Sequence, residues 1–204
     1  KDVSASASSS ASTTVPKTNK PKVEAFIFSY CPYGLQFEKA LVPVYNLFKD
    51  KADINVVAIG AMHGPFEKTE SLRQLCIQEN YGKDKLWAYL DKFIVNTAIG
   101  DCQGDDACLN PVLSPIMASL SIDKGKIDSC MTSNAESLYN ADGARANSLG
   151  VSGSPTFVIN GVESQVSRTP EAIKTAICNA FTDSSKPSEC SQILSTTPAT
   201  PGFG

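Results

Sequence analysis

The chain has 204 residues, 42% hydrophobic and 19% charged, with a formal net charge of −3. That length supports one well-cored domain with an insertion and tails, and the charge balance excludes a protein organised around nucleic acid or another polyanion. No apolar run approaches the roughly 18 residues that a helix needs to span a membrane.

Residues 1–21 are rich in Ser, Ala and Thr and nearly free of large apolar side chains. Such a segment buries too little surface to offset its ordering entropy, so it is expected to be a disordered tether. The chain opens at Lys1 rather than Met, and it carries seven cysteines, a high count for a reducing compartment. A tether ahead of a cysteine-rich domain suggests an extracytoplasmic setting: periplasmic, secreted, or held outside a membrane.

Residues 23–29 (VEAFIFS) read as a buried strand that breaks at Tyr30-Cys31-Pro32-Tyr33-Gly34. Phe37, Leu41, Val44 and Phe48 then recur at helical spacing over residues 35–49, with Pro43 expected to kink the helix. Residues 53–60 (DINVVAIG) form a second apolar strand, and this strand–helix–strand unit implies a parallel pair. Five helical pieces follow, over 65–81, 84–95, 108–120, 123–131 and 134–149, the second carrying an apolar face of Leu86, Trp87, Leu90, Phe93 and Ile94 that reads as core. Strands return at 155–160 and 162–166 around Asn160-Gly161, a strong hairpin signal. Thr169 as N-cap, Pro170 and Glu171 open a last helix that runs to about Phe181. The order predicts an α/β chain of thioredoxin topology over residues 22–181, with a helical insertion at about 65–149 and a C-terminal tail at 182–204.

Cys31 falls where a strand gives way to a helix, so its sulfur is expected beside free helical N–H groups and the positive end of the helix dipole. Both favour a nucleophilic thiolate. Pro32 suits the first helical turn, and the turn through Tyr33 exposes the cysteine. Ser154-Pro155, at the start of a later strand, is a candidate cis peptide that in this topology faces the cysteine. There it would offer the Ser154 backbone to an extended substrate chain, making Pro32, Tyr33, Ser154 and Pro155 the substrate-binding candidates.

YCPYG before an amphipathic helix and VSGSPTFVINGV before the last helix resemble the DsbA-like thioredoxin-fold thiol–disulfide oxidoreductases. AMHG (residues 61–64), LCIQENYG and KIDSC resemble, more weakly, the gamma-interferon-inducible lysosomal thiol reductases. The resemblance covers about residues 22–181. It implies that Cys31 attacks the substrate, that Pro155 is the cis-proline, and that the partners are proteins bearing cysteines. The sequence departs from the family pattern at Gly34, where a resolving cysteine is expected. A lone thiolate can form a mixed disulfide, but release then needs an external thiol or redox partner. That constraint fits isomerisation, monothiol exchange or deglutathionylation better than net oxidation. An engineered trap fits it too, as does a redox-inactive module or chaperone that holds extended polypeptide.

Setting Cys31 aside leaves six cysteines, for which 15 pairings exist. The favoured set joins Cys102 to Cys108 across a short polar loop, Cys178 to Cys190 to pin the tail, and Cys76 to Cys130 across the insertion. No Cys/His spacing of the zinc type occurs, and neither a metal nor another cofactor is expected. His63, the single histidine, follows the second strand near the same sheet end and reads as a loop residue or an auxiliary to the thiolate.

Overall fold

The computed structural model describes residues 14–204. Four strands form one sheet in the order β2-β1-β3-β4: β1 (Lys22–Ile27), β2 (Asp53–Ala58), β3 (Thr156–Ile159) and β4 (Val162–Glu163). β1 pairs parallel with β2 and antiparallel with β3, and β3 pairs antiparallel with β4. Among the described residues this is the expected strand–helix–strand, insertion, hairpin order. The two-residue turn between β3 and β4 has Asn160 at φ 50° and Gly161 at φ 82°, the conformation an Asn-Gly hairpin requires. Asn160 also ties the turn down, because its side-chain oxygen accepts from the Lys22 N–H at 2.8 Å and its amide donates to the Pro16 carbonyl at 2.7 Å.

Side chains alternate across the sheet, which gives it two buried faces. Val23, Ala25 and Ile27 of β1 face the main core, against α1 (Pro32–Phe48) and α8 (Pro170–Asn179). Phe26, Val57 and Val158 point the other way, onto Ala146 of α7 (Ala135–Ser148). Glu24 is buried on this second face, where Arg145 of α7 grips it through Nε at 2.8 Å and Nη2 at 2.7 Å. Burial raises its pKa, but Arg145 and Lys22 outweigh burial and hold the carboxyl below its ordinary range.

Between β2 and β3 lie α2 (Pro65–Tyr81), α3 (Lys83–Phe93), α4 (Thr97–Cys102), α5 (Asp106–Ser119), α6 (Lys124–Ser133) and α7. The helix α4 is additional to the sequence reading; at six residues it is too short for periodicity to reveal, and it starts from an Asn96 cap that accepts from the Ala98 N–H at 3.1 Å. α1 begins earlier than the apolar spacing indicated, since Pro32 takes the first helical turn and Cys31 the cap, and it continues as one helix through Pro43. Strand β4 is two residues rather than five. Trp87 is buried and stacks on Tyr45 with ring centroids 4.5 Å apart, tying α3 to α1. Disulfides join Cys76 to Cys130, Cys102 to Cys108, and Cys178 to Cys190.

The N-terminal segment departs from the expectation of a disordered tether, and the C-terminal tail is held at more points than the expected Cys178–Cys190 pin. Residues 1–13 of the expected tether lie outside the described residues. Residues 14–21 lie along the domain: Thr18 donates its N–H to the Ala180 carbonyl and accepts from the Thr182 N–H, and Val15 packs on the core. Backbone hydrogen bonds bring this stretch in without large side chains, so composition alone misreads it. The C-terminal segment continues past the Cys178–Cys190 bond and runs beside α1. Gln36 Nε2 donates to the Ala199 carbonyl at 2.7 Å, and Lys39 Nζ donates to the carbonyls of Thr200, Gly202 and Gly204. Phe203 then inserts edge-on against Tyr30 and Phe93, with ring centroids 5.3 Å away in each case. Gly100 makes room for it, since a Cβ there would sit 2.8 Å from the Phe203 ring.

Candidate active site

Cys31 caps α1 in an extended conformation, with no side chain of its own bonded to the helix N–H groups. Its N–H donates to the Phe28 carbonyl at 3.0 Å and its carbonyl accepts from the Leu35 N–H at 2.8 Å, so the backbone is held on both sides of the sulfur. The residue is 7% exposed, so the turn through Tyr33 buries the sulfur instead of exposing it as expected, and it is the one free cysteine among the described residues. Pro32 and Tyr33, next in the chain, are exposed.

The Ser154–Pro155 peptide bond is cis, and it brings the Ser154 carbonyl to Cys31: the thiol donates to that oxygen at 3.5 Å. The Ser154 hydroxyl oxygen accepts from the Phe28 N–H at 3.0 Å. Gly34 sits under the same group. A Cβ at position 34 would lie 2.8 Å from Ser154 Oγ, 3.2 Å from Cys31 Cβ and 3.2 Å from Ile27 Cγ2. The space beside position 34, where the sequence resemblance led to the expectation of a resolving thiol, is therefore filled from the cis-proline loop. Sequence reasoning identified Gly34 as a missing thiol but could not see what stands in its place.

Glu67, which sequence reasoning missed, organises the other side. Its side chain is fully buried, and its two carboxylate oxygens accept from the Tyr30 N–H at 2.9 Å and the His63 N–H at 2.8 Å. Its backbone carbonyl takes the Ser29 hydroxyl at 2.9 Å. The loop that delivers Cys31 is thus anchored at Ser29 and Tyr30 by one residue of α2. His63 Nδ1 lies 3.0 Å from the same carboxylate, which assigns a proton to that nitrogen, and Nε2 has no partner among the described residues. The His63 ring meets the edge of Phe28, centroids 6.4 Å apart, and Phe28 is the residue whose carbonyl receives the Cys31 N–H. His63 is therefore connected to the cysteine through Phe28 and Glu67. The signal available in the sequence was the four-residue spacing of His63 and Glu67 across a helix start.

Beneath α1 lies a second polar group: Glu70 is paired with Arg73 and accepts from Tyr89 Oη at 2.9 Å and Gln74 Nε2 at 3.0 Å, all buried. Glu38, two turns along α1 from Cys31, is 1% exposed, and its Oε1 has no hydrogen-bond partner among the described residues. Burial, reinforced by the charge of Glu70, pushes its pKa up to about 8. Among the described residues no group of three His, Cys, Asp or Glu side chains is placed to hold a metal ion.

No protein-family model and no curated protein sequence matches the chain. Solved structures do. MdbA, a thiol-disulfide oxidoreductase from Actinomyces oris, superposes with a TM-score of 0.60 at 13% identity, over 83% of each chain. BdbD from Bacillus subtilis gives 0.53 at 16% identity, over 77% of this chain and 85% of its own. DsbA from Pseudomonas aeruginosa gives 0.52 at 20% identity, over 81% and 85%. The fold is DsbA-like. Identities this low establish architecture and not activity. Within the DsbA-like fold, Cys31 stands at the start of the first helix, opposite the cis Ser154–Pro155 peptide. Gly34, Glu67 and Ser154 shape the surroundings of that sulfur in this chain.

Proposed function

We propose that this protein performs thiol–disulfide exchange through Cys31 acting as a single thiol, outside the cytoplasm, on cysteine-bearing protein or small-thiol disulfides. One observation carries the reading. Of seven cysteines, six are paired and the seventh caps a helix against the Ser154 carbonyl of the cis Ser154–Pro155 peptide. The Cys31 thiolate attacks one sulfur of a substrate disulfide, a bond forms between the two sulfurs, and the second substrate sulfur leaves as a thiolate that takes up a proton. Loss of the thiol proton frees the Ser154 carbonyl, which then accepts a backbone N–H of an extended substrate beside the new bond. Since Gly34 offers no second thiol, release falls to another cysteine of the substrate or to an external thiol, which attacks the mixed disulfide and returns Cys31. The first route is isomerisation and the second is reduction at the expense of that thiol. No helix among the described residues is long and apolar enough to cross a membrane. Three disulfides favour an oxidising compartment.

A second reading has one observation in its favour: Cys31 is 7% exposed. The protein would then bind extended polypeptide without redox turnover. Thiol labelling of the native protein at mildly acidic pH separates the two. Rapid modification at Cys31 supports exchange, and a Cys31 that reacts only after unfolding refutes it. Rescue of a scrambled-disulfide protein should further depend on added glutathione.

A further inference from the structure

The chain has three arginines, and two of them face buried carboxylates: Arg73 with Glu70 and Arg145 with Glu24. Arg168 is the exception, having no ion pair among the described residues. Its guanidinium lies over the Tyr33 ring, 4.7 Å from the centroid, and one arm donates to Gln36 Oε1 at 3.1 Å. Tyr33 and Gln36 belong to the first turns of α1, so this cation is fastened beside the helix start that carries Cys31. Its backbone is fixed as well, because the next residue, Thr169, caps α8 and accepts from the Ala172 N–H at 3.3 Å.

Arg168 also lines a small cleft of about 70 Å³ whose other walls include Pro155, Phe37, Phe157 and Gln165. One wall is thus the cis-proline of the candidate site. The cleft contains one acid, Glu163, whose carboxylate is engaged by Gln165 Nε2 at 2.6 Å and not by Arg168. The Tyr33 ring and the Gln36 contact hold the guanidinium in place while using a single donor, so its remaining N–H groups are free for a carboxylate.

We propose that Arg168 selects disulfide substrates that carry a carboxylate next to the reacting sulfur. The inference rests on Cys31 being the attacking thiol and adds the substrate class. Two sources share this chemistry: the terminal carboxylates of a small thiol such as glutathione, and an Asp or Glu beside a cysteine in a polypeptide. In either case Cys31 forms the mixed disulfide, the other half of the substrate departs as a thiol, and the carboxylate held by Arg168 stays on the half bound to Cys31.

The test compares rates of mixed-disulfide formation at Cys31, read by mass, with three probes: glutathione disulfide (anionic), bis(2-hydroxyethyl) disulfide (neutral) and cystamine (cationic). At low salt the native protein should favour the anionic over the neutral probe, and Arg168→Met should lower that ratio about fivefold, the size of one solvent-screened charge pair. Cystamine should gain relative to the neutral probe in the same variant. Arg168→Lys, which keeps the charge without the fork, should retain part of the preference, and high salt should erase it in the native protein. Peptide disulfides with Glu or Lys flanking the cysteine form the second arm; a ratio that responds to Arg168→Met only with these assigns the polypeptide source, and one that responds only with glutathione disulfide assigns the small thiol. A ratio that Arg168→Met leaves unchanged for both sources overturns the inference while leaving Cys31 as the nucleophile. Failure of Cys31 to react with any probe overturns both.

Discussion

Ser154 Oγ stands 2.8 Å from the point where Gly34 would carry a Cβ, and it is held there by the Phe28 N–H at 3.0 Å. The two positions exclude each other: a side chain at 34 must turn the hydroxyl away and leave the Phe28 donor without its partner. Gly34→Cys alone should therefore close a disulfide with Cys31 poorly. Combining it with Ser154→Ala frees the space and removes that competition. One hydrogen bond is worth about 1 kcal/mol, so the double variant should close the bond roughly fivefold more favourably in a glutathione redox buffer. Quantifying the intramolecular bond by mass spectrometry checks this. Equal closure in the single and double variants would show that the hydroxyl is no obstacle.

Glu67 accepts from two backbone N–H groups that belong to different segments, Tyr30 before the cysteine and His63 after β2. Replacing it with Ala leaves the buried Tyr30 donor without a partner, at about 1–3 kcal/mol, while the part-buried His63 donor can turn to water. Glu67→Ala should lower stability by roughly 2 kcal/mol in urea titration and speed amide exchange at Tyr30 and Cys31. Glu67→Gln retains one acceptor and should fall between. Unchanged exchange at these amides would mean that the loop is held by other contacts.

The strands and the long helices were legible in the sequence because local rules suffice: short apolar runs for β1 and β2, apolar spacing for α1, and Asn160-Gly161 for the hairpin. The thiol and the cis-proline loop were located by the same kind of signal, a strand end before Pro32 and a strand start at Pro155. What escaped is tertiary. Nothing in the spacing of Glu67, Arg168 or Phe203 shows that the first anchors a loop 37 residues earlier, the second covers Tyr33, or the third packs on Tyr30. Residues 14–21 read as part of a disordered tether and the C-terminal segment as a tail pinned at Cys190, yet backbone hydrogen bonds to Ala180, Thr182 and Pro32 bring both in.

Phe203 links that C-terminal segment to Tyr30 of the active-site loop and to Phe93 of α3. The Gly202 N–H donates to the Pro32 carbonyl at 2.9 Å alongside it. Truncating a partly buried ring against a packed core should cost about 2 kcal/mol, less than for a fully enclosed phenylalanine. Phe203→Ala should lower the thermal midpoint by several degrees and raise the rate of Cys31 labelling, since the loop loses one wall. A loss of stability with labelling unchanged would restrict the ring to a structural role.

Glu38 gives the fold a pH dependence of defined sign. Burial beside Glu70 raises its folded pKa to about 8 from an ordinary value of 4.5, so the native state holds a proton that the unfolded chain has released. Its contribution is fully present below the unfolded value and is lost as pH rises through the folded one. Between about pH 4.5 and pH 8 the native protein should lose stability through this group, on the order of a few kcal/mol at about 1.4 kcal/mol per unit. Glu38→Gln copies the protonated shape and cannot ionise, so its stability curve should be flatter over that window. Urea midpoints at pH 5, 7 and 9 test the sign: the variant should gain on the native protein as pH rises, and a difference that stays constant with pH would mean that Glu38 does not hold its proton in the fold.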